Sequence, residues 1–540
     1  MPRKKRNDNK KFIVVTGGVL SGLGKGVAAA TIGNLITKAG LRVIPIKCDG
    51  YLNVDPGTMN PVEHGEVFVL DDGGEVDMDF GHYERFLGIN CKFNWNLTMG
   101  KVYEALRVKE RRGDYLGKTV QLIPHVTDHI KEWFYKVADD EKADVVLIEV
   151  GGTVGDIENE LYIEACRQLK REVGECNILY VHLTYIPIPT NVHEQKSKPT
   201  QQSVALLRER GIDPDIIIGR CSEYLDAHIK KKISTFCDVE ENGVISGIDV
   251  DCVYKMPVIF SDEGINSIIK EKLCIDSGVS PEWKKLVDNL DKLEKTVNIA
   301  ICGKYTKLED SYASILEALK HCSANLKTKI CVKMIDTEKV GSQADAKKLL
   351  EGIDGVIVPG GFGSRGIEGK IQIVQYCREK NIPFLGICLG LQLATVEFAR
   401  NVCGLKDANT TEVDEKTKNP VIDIMPEQKE VKDKGATMRL GAYPAIMKPG
   451  TIIWALYSKQ KEVSERHRHR YEVNPEYHEV LQKHGLVFSG MSPDGKLVEF
   501  IELPKEKHKY FVGTQAHPEL KSKLEKPGPL FYGLVKACVE

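Results

Sequence analysis

The sequence predicts an α/β protein made of two doubly wound parallel-sheet domains. Three observations carry this. Short apolar runs that end in a glycine or a charged residue alternate with helix-forming stretches along most of the chain. The alternation stops near residues 277–281 and resumes at Val297. At 540 residues, the chain is also longer than one ordinary core accommodates.

The first strand is Phe12-Ile13-Val14-Val15, an apolar run of the kind found in a buried parallel sheet. It leads into Thr16-Gly17-Gly18-Val19-Leu20-Ser21-Gly22-Leu23-Gly24-Lys25-Gly26-Val27-Ala28, followed by helix formers to about Lys38. Strand, glycine-rich turn and helix together aim backbone N–H groups at a phosphate chain, and Lys25 adds a point charge for the outer phosphates. The fit to the usual phosphate loop is imperfect. Five residues separate Gly18 from Gly24, and Gly26 stands where a Ser or Thr normally touches magnesium. A dinucleotide turn and a turn without ligand stay open at this point. A short-chain dehydrogenase would need a Tyr-x-x-x-Lys pair, and none occurs before residue 275.

A second run, residues 41–47, ends at Lys47-Cys48-Asp49-Gly50, at the carboxyl end of a strand, where open α/β sheets bind ligands. Asp71-Asp72-Gly73-Gly74 is either a magnesium-binding turn or a solvated acidic loop. Residues 144–149 form an apolar strand that terminates in Glu149, followed by Gly151-Gly152-Thr153-Val154-Gly155-Asp156-Ile157-Glu158. An acid at a strand tip beside a phosphate loop is the usual second magnesium contact of nucleotide hydrolases. With Lys25 and Asp72 it predicts a metal–nucleotide site. Strands at 178–182 and 215–219 extend the sheet. Between them, Lys196-Ser197-Lys198-Pro199-Thr200-Gln201 suits a clamp on a second phosphorylated molecule or a plain basic loop.

Residues 281–295 read as one amphipathic linker helix with Trp283, Leu286, Val287, Leu290 and Leu293 on its apolar stripe, packed on a domain. New strands follow near 297–302, 329–335, 355–359 and 384–387. The last ends in Gly386-Ile387-Cys388-Leu389-Gly390, a cysteine form of the nucleophile elbow, whose following helix favours a thiolate. His517-Pro518-Glu519 after an apolar run supplies a base and an orienting acid, and Pro359-Gly360-Gly361-Phe362-Gly363 supplies N–H groups for an oxyanion hole.

Composition narrows the classes. A net charge of -2 argues against a general nucleic-acid or membrane binder. Residues 1–10, with Arg3-Lys4-Lys5-Arg6, read as a disordered basic tail. There is neither an apolar run of spanning length nor a signal peptide, and fifteen scattered cysteines without a Cys-x-x-Cys pair suit a reducing cytoplasm. The expected domains are 11–275, a linker at 276–296, and 297–540.

The cysteine elements resemble a class I glutamine amidotransferase domain. In the first half, residues 16–25, Asn53-Val54-Asp55-Pro56-Gly57-Thr58-Met59, His64-Gly65-Glu66-Val67, Gly81-His82-Tyr83-Glu84-Arg85-Phe86, Arg111-Arg112-Gly113-Asp114-Tyr115 and 149–158 resemble the CTP synthase family. The likeness spans nearly the whole chain after the tail. It implies a phosphate-loop-like amidoligase domain beside the amidotransferase, in which ATP phosphorylates UTP and ammonia from glutamine displaces the phosphate.

Residue by residue, the resemblance implies ATP contacts at Gly22, Leu23, Gly24, Lys25, Gly26, Val27, Lys47, Asp72 and Val250, and Mg2+ on Asp72 and Glu149. It implies UTP contacts at Ser21, Lys196, Ser197, Lys198, Pro199, Thr200, Gln201 and Lys232, and CTP feedback at Asp156, Ile157 and Glu158. The implied triad is Cys388, His517 and Glu519, with glutamine on Gly361, Leu389, Gly390, Leu391, Gln392, Glu412 and Arg470. GTP activation would use Phe362 and the loop at 434–441, and a homotetramer with shared nucleotide sites, able to stack into filaments, is implied as well. One departure stands out. The family places a lysine in Ser-Leu-Lys-Asp-Val-Asp, whereas this chain has Ser246-Gly247-Ile248-Asp249-Val250-Asp251, which puts that adenine-side contact in doubt. The rival readings are a filament-forming structural protein and a cysteine peptidase.

Overall fold

Seven strands make the first sheet of the computed structural model, which describes residues 10–57, 65–304, 309–361, 363–424 and 438–540. They are β1 (Lys11–Gly17), β2 (Val43–Asp49), β3 (Asn96–Thr98), β4 (Val145–Val150), β5 (Ile178–Tyr185), β6 (Ile216–Cys221) and β7 (Val244–Ile248). Their order is β3-β2-β4-β1-β5-β6-β7, with every pairing parallel. Strand β1 takes the centre because Phe12–Val15 is apolar on both faces, which suits burial between helix layers. From β1 the chain winds to one edge, returns through β4, and passes to β5 on the other side. The carboxyl end of β1 is therefore the switch point, where such sheets open a crevice. Helices α1 (Lys25–Thr37) and α2 (Lys198–Glu209) follow β1 and β5.

Contacts divide the chain into two units. One holds residues up to Asp55 together with His82–Lys284, and the other holds Pro56–Gly81 with Lys285–Glu540. The expected boundary was contiguous; the structure instead groups residues 56–81 with the C-terminal half. The tail at 1–9, with its basic run, lies outside the described residues, as do Thr58, Met59 and His64.

The helix that spans the boundary, α3 (Pro281–Leu290), is shorter than its sequence pattern. The Lys292 N–H turns back onto the Asn289 carbonyl at 3.0 Å and Lys295 already starts a strand, so Leu293 falls outside the helix. Its anchor in the first unit is Trp283, 1% exposed, which lies 5.4 Å from Phe86 and 5.9 Å from Tyr254 and donates Nε1–H to the Tyr254 carbonyl at 2.9 Å.

The second unit has a nine-stranded sheet: β8 (Lys295–Gly303), β9 (Thr328–Asp336), β10 (Gly355–Val358), β11 (Phe384–Ile387), β12 (Arg439–Met447), β13 (Glu462–His469), β14 (Val487–Met491), β15 (Val498–Glu502) and β16 (Phe511–Thr514). The order is β9-β8-β10-β11-β16-β15-β14-β12-β13. The first five are parallel and include every strand legible as an apolar run, whereas the last four pair antiparallel. Arg439–Met447 mixes buried and partly exposed positions, and Val498–Glu502, though buried throughout, is interrupted by Glu499 and Glu502, so neither gives a continuous apolar signal. Helices α4 (Ile367–Lys380) and α5 (Leu389–Asn401) follow β10 and β11. No helix of the described residues is long and apolar enough to cross a membrane.

Removing the Trp283 anchor tests how firmly α3 is held. Trp283→Ala should destabilise the first unit by about 3–5 kcal/mol, while Trp283→Phe, which keeps a ring but loses the N–H donor, should cost only about 1–2 kcal/mol. Urea unfolding followed by circular dichroism reads both. A loss below about 1 kcal/mol in the alanine variant would mean that the helix is not anchored there.

Candidate active site

The phosphate loop of the first unit leaves β1 at Gly17 and turns through left-handed backbone at Val19, Gly22 and Gly24, with φ of 78°, 75° and 88°. Gly24 is the N-cap of α1, and no side chain among the described residues caps it, so the first-turn N–H groups are presented outward. Ser21 and Gly22 are exposed, Leu23 is buried, and Gly26 and Val27 open the helix. Lys25 donates to the Gly152 carbonyl at 2.8 Å, which draws the loop after β4 against the phosphate loop. Val154 N–H closes the same contact on the Gly17 carbonyl.

Glu149 stands opposite Val15 in the register of β1 and β4. It is 1% exposed, accepts from Lys47 Nζ at 3.0 Å, and takes a very short hydrogen bond from the Tyr83 hydroxyl. Asp156 accepts from Thr153 N–H, and Ile157 and Glu158 project into solvent, Ile157 at 84% exposure. Ser197 stands at the N-cap position of α2 without a side-chain hydrogen bond to its N–H groups; Lys198, Pro199, Thr200 and Gln201 form its first turn, with Thr200 bonded to Thr184 and Gln201 to Ser197. Lys196 lies against Glu194, Lys232 is exposed on the helix Ala227–Cys237, and Val250 follows β7. At the departure, Ile248 ends β7 and Asp249 pairs with Arg220 at 2.6 Å. A Cβ on Gly24 would lie 3.7 Å from the Arg220 guanidinium, so Arg220 is the cation that flanks the loop on this side.

In the second unit Cys388 sits between β11 and α5 with φ 51° and ψ -103°, a strained backbone that keeps the thiol at the head of the helix. Its N–H is held by the Thr514 carbonyl at 2.7 Å. Gly390 permits the turn, since a Cβ there would fall 2.1 Å from the Val358 carbonyl oxygen. His517 Nδ1 and Glu519 Oε1 are 2.7 Å apart, and a Cβ on Gly360 would touch both the His517 ring and Cys388. Burial works against a charged His517 ring, but the Glu519 carboxylate and Cys388 outweigh it and hold its pKa up to about 10.

Around this centre Gln515, which the sequence reading missed, donates to the Cys388 sulfur at 3.6 Å. Gln392 fixes Gln515 from behind by donating to its amide oxygen at 3.2 Å and to the Tyr471 carbonyl at 2.9 Å. Glu412 accepts from Gly363 N–H at 2.8 Å, and Arg470 follows β13, half-buried. Leu389, Gly390 and Leu391 form the buried first turn of α5. Lys370 was missed as well. It is 2% exposed, its Nζ lies beside Gly361, and burial together with Lys304 lowers its pKa to about 8. Phe362 and residues 434–437 of the loop at 434–441 lie outside the described residues.

The same unit contains Asp72, in the turn of a hairpin that pairs Phe68–Val69 with Glu75–Val76. The turn is fastened to β13: Arg466, fully buried, donates to Asp71 at 2.6 Å, and Arg468 donates to Glu75 at 2.8 Å. Burial raises the Asp71 pKa, but Arg466 and Lys521 prevail and hold it below the usual value. Between this segment and the elbow lies a cavity walled by Val67, Val69, Ile315 and Arg468 that opens on Cys388 and His517. Asp72 thus belongs to the second unit and Glu149 to the first.

Comparison with known proteins matches residues 11–275 to the CTP synthase N-terminus and residues 307–537 to the class-I glutamine amidotransferases. The CTP synthase of Borreliella afzelii is 55% identical over 541 residues, covering 98% of this chain and 99% of its own. Those of Methanocaldococcus jannaschii and Pyrococcus furiosus are each 52% identical, covering 98% of this chain and 98% of theirs.

The His517–Glu519 pair predicts a pH signature. With a folded value of about 10 against an ordinary 6.5, its contribution to stability is complete below about pH 6.5 and is lost as pH rises through about 10. Glu519→Gln should flatten the fall in melting temperature across that window. Parallel curves for the two proteins would show that the carboxylate does not hold the ring charged.

Proposed function

The chain belongs to the CTP synthase family, and from that premise we propose how its residues divide the reaction. The enzyme aminates UTP to CTP with ATP and with nitrogen from glutamine. The division rests on one observation: two strand–turn–helix elbows, one presenting bare N–H groups and Lys25, the other presenting Cys388 beside His517.

In the synthetase half, the N–H groups of Gly22 to Val27 and the Lys25 ammonium bind the ATP phosphates, with Lys47 a second cation at the same strand ends. The C4 oxygen of UTP takes the γ-phosphoryl group and releases ADP; ammonia then adds at C4, and phosphate leaves with that oxygen. Lys25 stabilises charge on the phosphoryl group as it moves. Ser21, Lys196–Gln201 and Lys232 hold UTP, where the N-terminus of α2 offers the same bare N–H chemistry. Asp72 and Glu149 each carry carboxylate oxygens, the hard donors that Mg2+ takes; Glu149 shares its own with Lys47 and Tyr83, and Mg2+ held by these groups would neutralise phosphate charge. Asp156, Ile157 and Glu158 are read as the CTP feedback site. The family resemblance supports a homotetramer in which such sites are shared, and Ile157, Leu116 and Leu122 are exposed apolar side chains that an interface could cover.

In the glutaminase half, Cys388 sulfur attacks the glutamine amide carbon, and His517, charged by Glu519, gives its proton to the departing ammonia. The resulting thioester is hydrolysed with His517 as base. Gln515 stabilises the thiolate, the Gly360–Gly361 turn and Leu389 N–H receive the oxyanion, and Glu412 and Arg470 recognise the amino acid's charged groups. Ammonia leaves into the cavity walled by Val67 and Val69 without being protonated by bulk water. GTP activates this step through Phe362 and the loop near 434–441, and the enzyme works in the cytoplasm.

Cys388→Ala should lower glutamine-dependent CTP formation by about a thousandfold or more and spare synthesis from ammonium salts, increasingly so at higher pH. Lys25→Ala should abolish synthesis from both nitrogen sources and leave glutamine hydrolysis. Following UTP conversion by absorbance reads both variants. Turnover of glutamine without Cys388, or ammonia-dependent synthesis without Lys25, would show that a site has been misassigned.

A further inference from the structure

Beneath the phosphate loop runs a buried chain of three polar side chains that the mechanism above does not use. Thr16 Oγ1 and His182 Nδ1 are hydrogen-bonded at 2.8 Å, and His182 Nε2 and Ser203 Oγ at 2.8 Å. None of the three is more than 3% exposed. Thr16 ends the β1 run just before Gly17 and Gly18, and the register sets it opposite His182 on β5. Ser203 is on α2, two residues beyond Gln201.

Gly18 rests directly on the far end of this chain. A Cβ at that position would lie 1.6 Å from Ser203 Oγ and 3.2 Å from His182 Nε2. The loop's own N–H is fixed to the same layer, Gly18 donating to the Leu183 carbonyl at 2.9 Å. A second tie, Thr184 to Thr200 at 2.9 Å, holds β5 to the first turn of α2. Burial, helped by the charge on Lys25, pulls the His182 ring down to about 3, so it is neutral in use, with one nitrogen accepting and the other donating. Hydrogen bonds in such a series polarise one another and lose strength together when one is broken.

We propose that His182 is a positioning residue that ties the ATP loop to the UTP helix, so that filling either nucleotide site orders the other. The proposal rests on the assignment of those two segments given above. The loop has exposed, left-handed turns and no cap, so it gains order when phosphate binds. Gly18 transmits that order to Ser203 by contact, and Thr16 transmits it through the imidazole. Coupling of this kind is reciprocal: whatever ATP does for UTP, UTP does for ATP.

The test crosses the two ends. Thr16→Val breaks the chain at the ATP side without touching α2, and Ser203→Ala breaks it at the UTP side, removing the hydroxyl on which Gly18 rests while leaving the loop's own residues and its tie to Leu183 in place. Calorimetry measures UTP binding with and without a non-hydrolysable ATP analogue, and the analogue's own binding. Each variant should weaken binding of both nucleotides about fivefold to tenfold, the worth of one buried hydrogen bond, and should reduce the factor by which the analogue tightens UTP. The double variant should be no worse than either single one, and glutamine hydrolysis should be unchanged. Should Thr16→Val fail to fold, Gly18→Ala should weaken both nucleotides by collision, with Ser203→Gly restoring them. The tie is refuted if each variant affects only its own nucleotide, or if the analogue's effect on UTP survives. If instead Lys25→Ala leaves analogue binding intact, it is the assignment of the loop that has failed.

Discussion

A parallel strand that hands its chain to a helix at the carboxyl edge of a sheet leaves the first-turn N–H groups with nothing in the helix to bond. The rest of the molecule is arranged around that shortage. At the amino end of α1 Gly24 supplies no side-chain cap, which leaves those N–H groups suited to an anion. At the amino end of α5 the same dipole faces a thiol, and a thiolate or an oxyanion is the charge it favours. One geometric accident of α/β architecture thus serves two unrelated chemistries, each decided by the residue at the turn.

The two turns differ in what they demand of the backbone. Glycines carry the left-handed positions at 22 and 24, where the conformation costs little. Cys388 has a side chain and still adopts φ 51°, so its neighbours must impose it. The Thr514 carbonyl grips its N–H from β16, and Gly386 and Gly390 let the strand and helix close to distances no Cβ would allow. The Cys388 thiol is therefore positioned by the sheet.

Much of this was legible in the sequence. Apolar runs named five of the seven strands of the first sheet, missing the three-residue Asn96–Thr98 and the glycine-interrupted Val244–Ile248, and all five parallel strands of the second, because a strand buried on both faces writes itself as consecutive Val, Ile and Leu. Both elbows and the His-Pro-Glu run were visible as local motifs. The four antiparallel strands were not, since charged, glycine or partly exposed positions break their apolar runs. Gln515, Lys370, Arg220 and the Thr16–His182–Ser203 chain were invisible for a different reason. Their significance lies in partners more than a hundred residues away in several cases, and nothing local marks a lone Gln or His as engaged.

The grouping of residues 56–81 with the C-terminal half has a consequence for the covalent order of the molecule. The backbone passes between the two units three times, after Asp55, after Gly81 and within α3, where a simple string of two domains would need a single crossing. Severing α3 would therefore not release an intact second unit. A fragment made from Lys285 onward lacks Asp71 and Glu75, and so takes from Arg466 and Arg468 the carboxylates that fasten the hairpin turn to β13. The two catalytic halves are sewn rather than strung together, which ties the integrity of the glutaminase to a stretch of chain encoded within the synthetase.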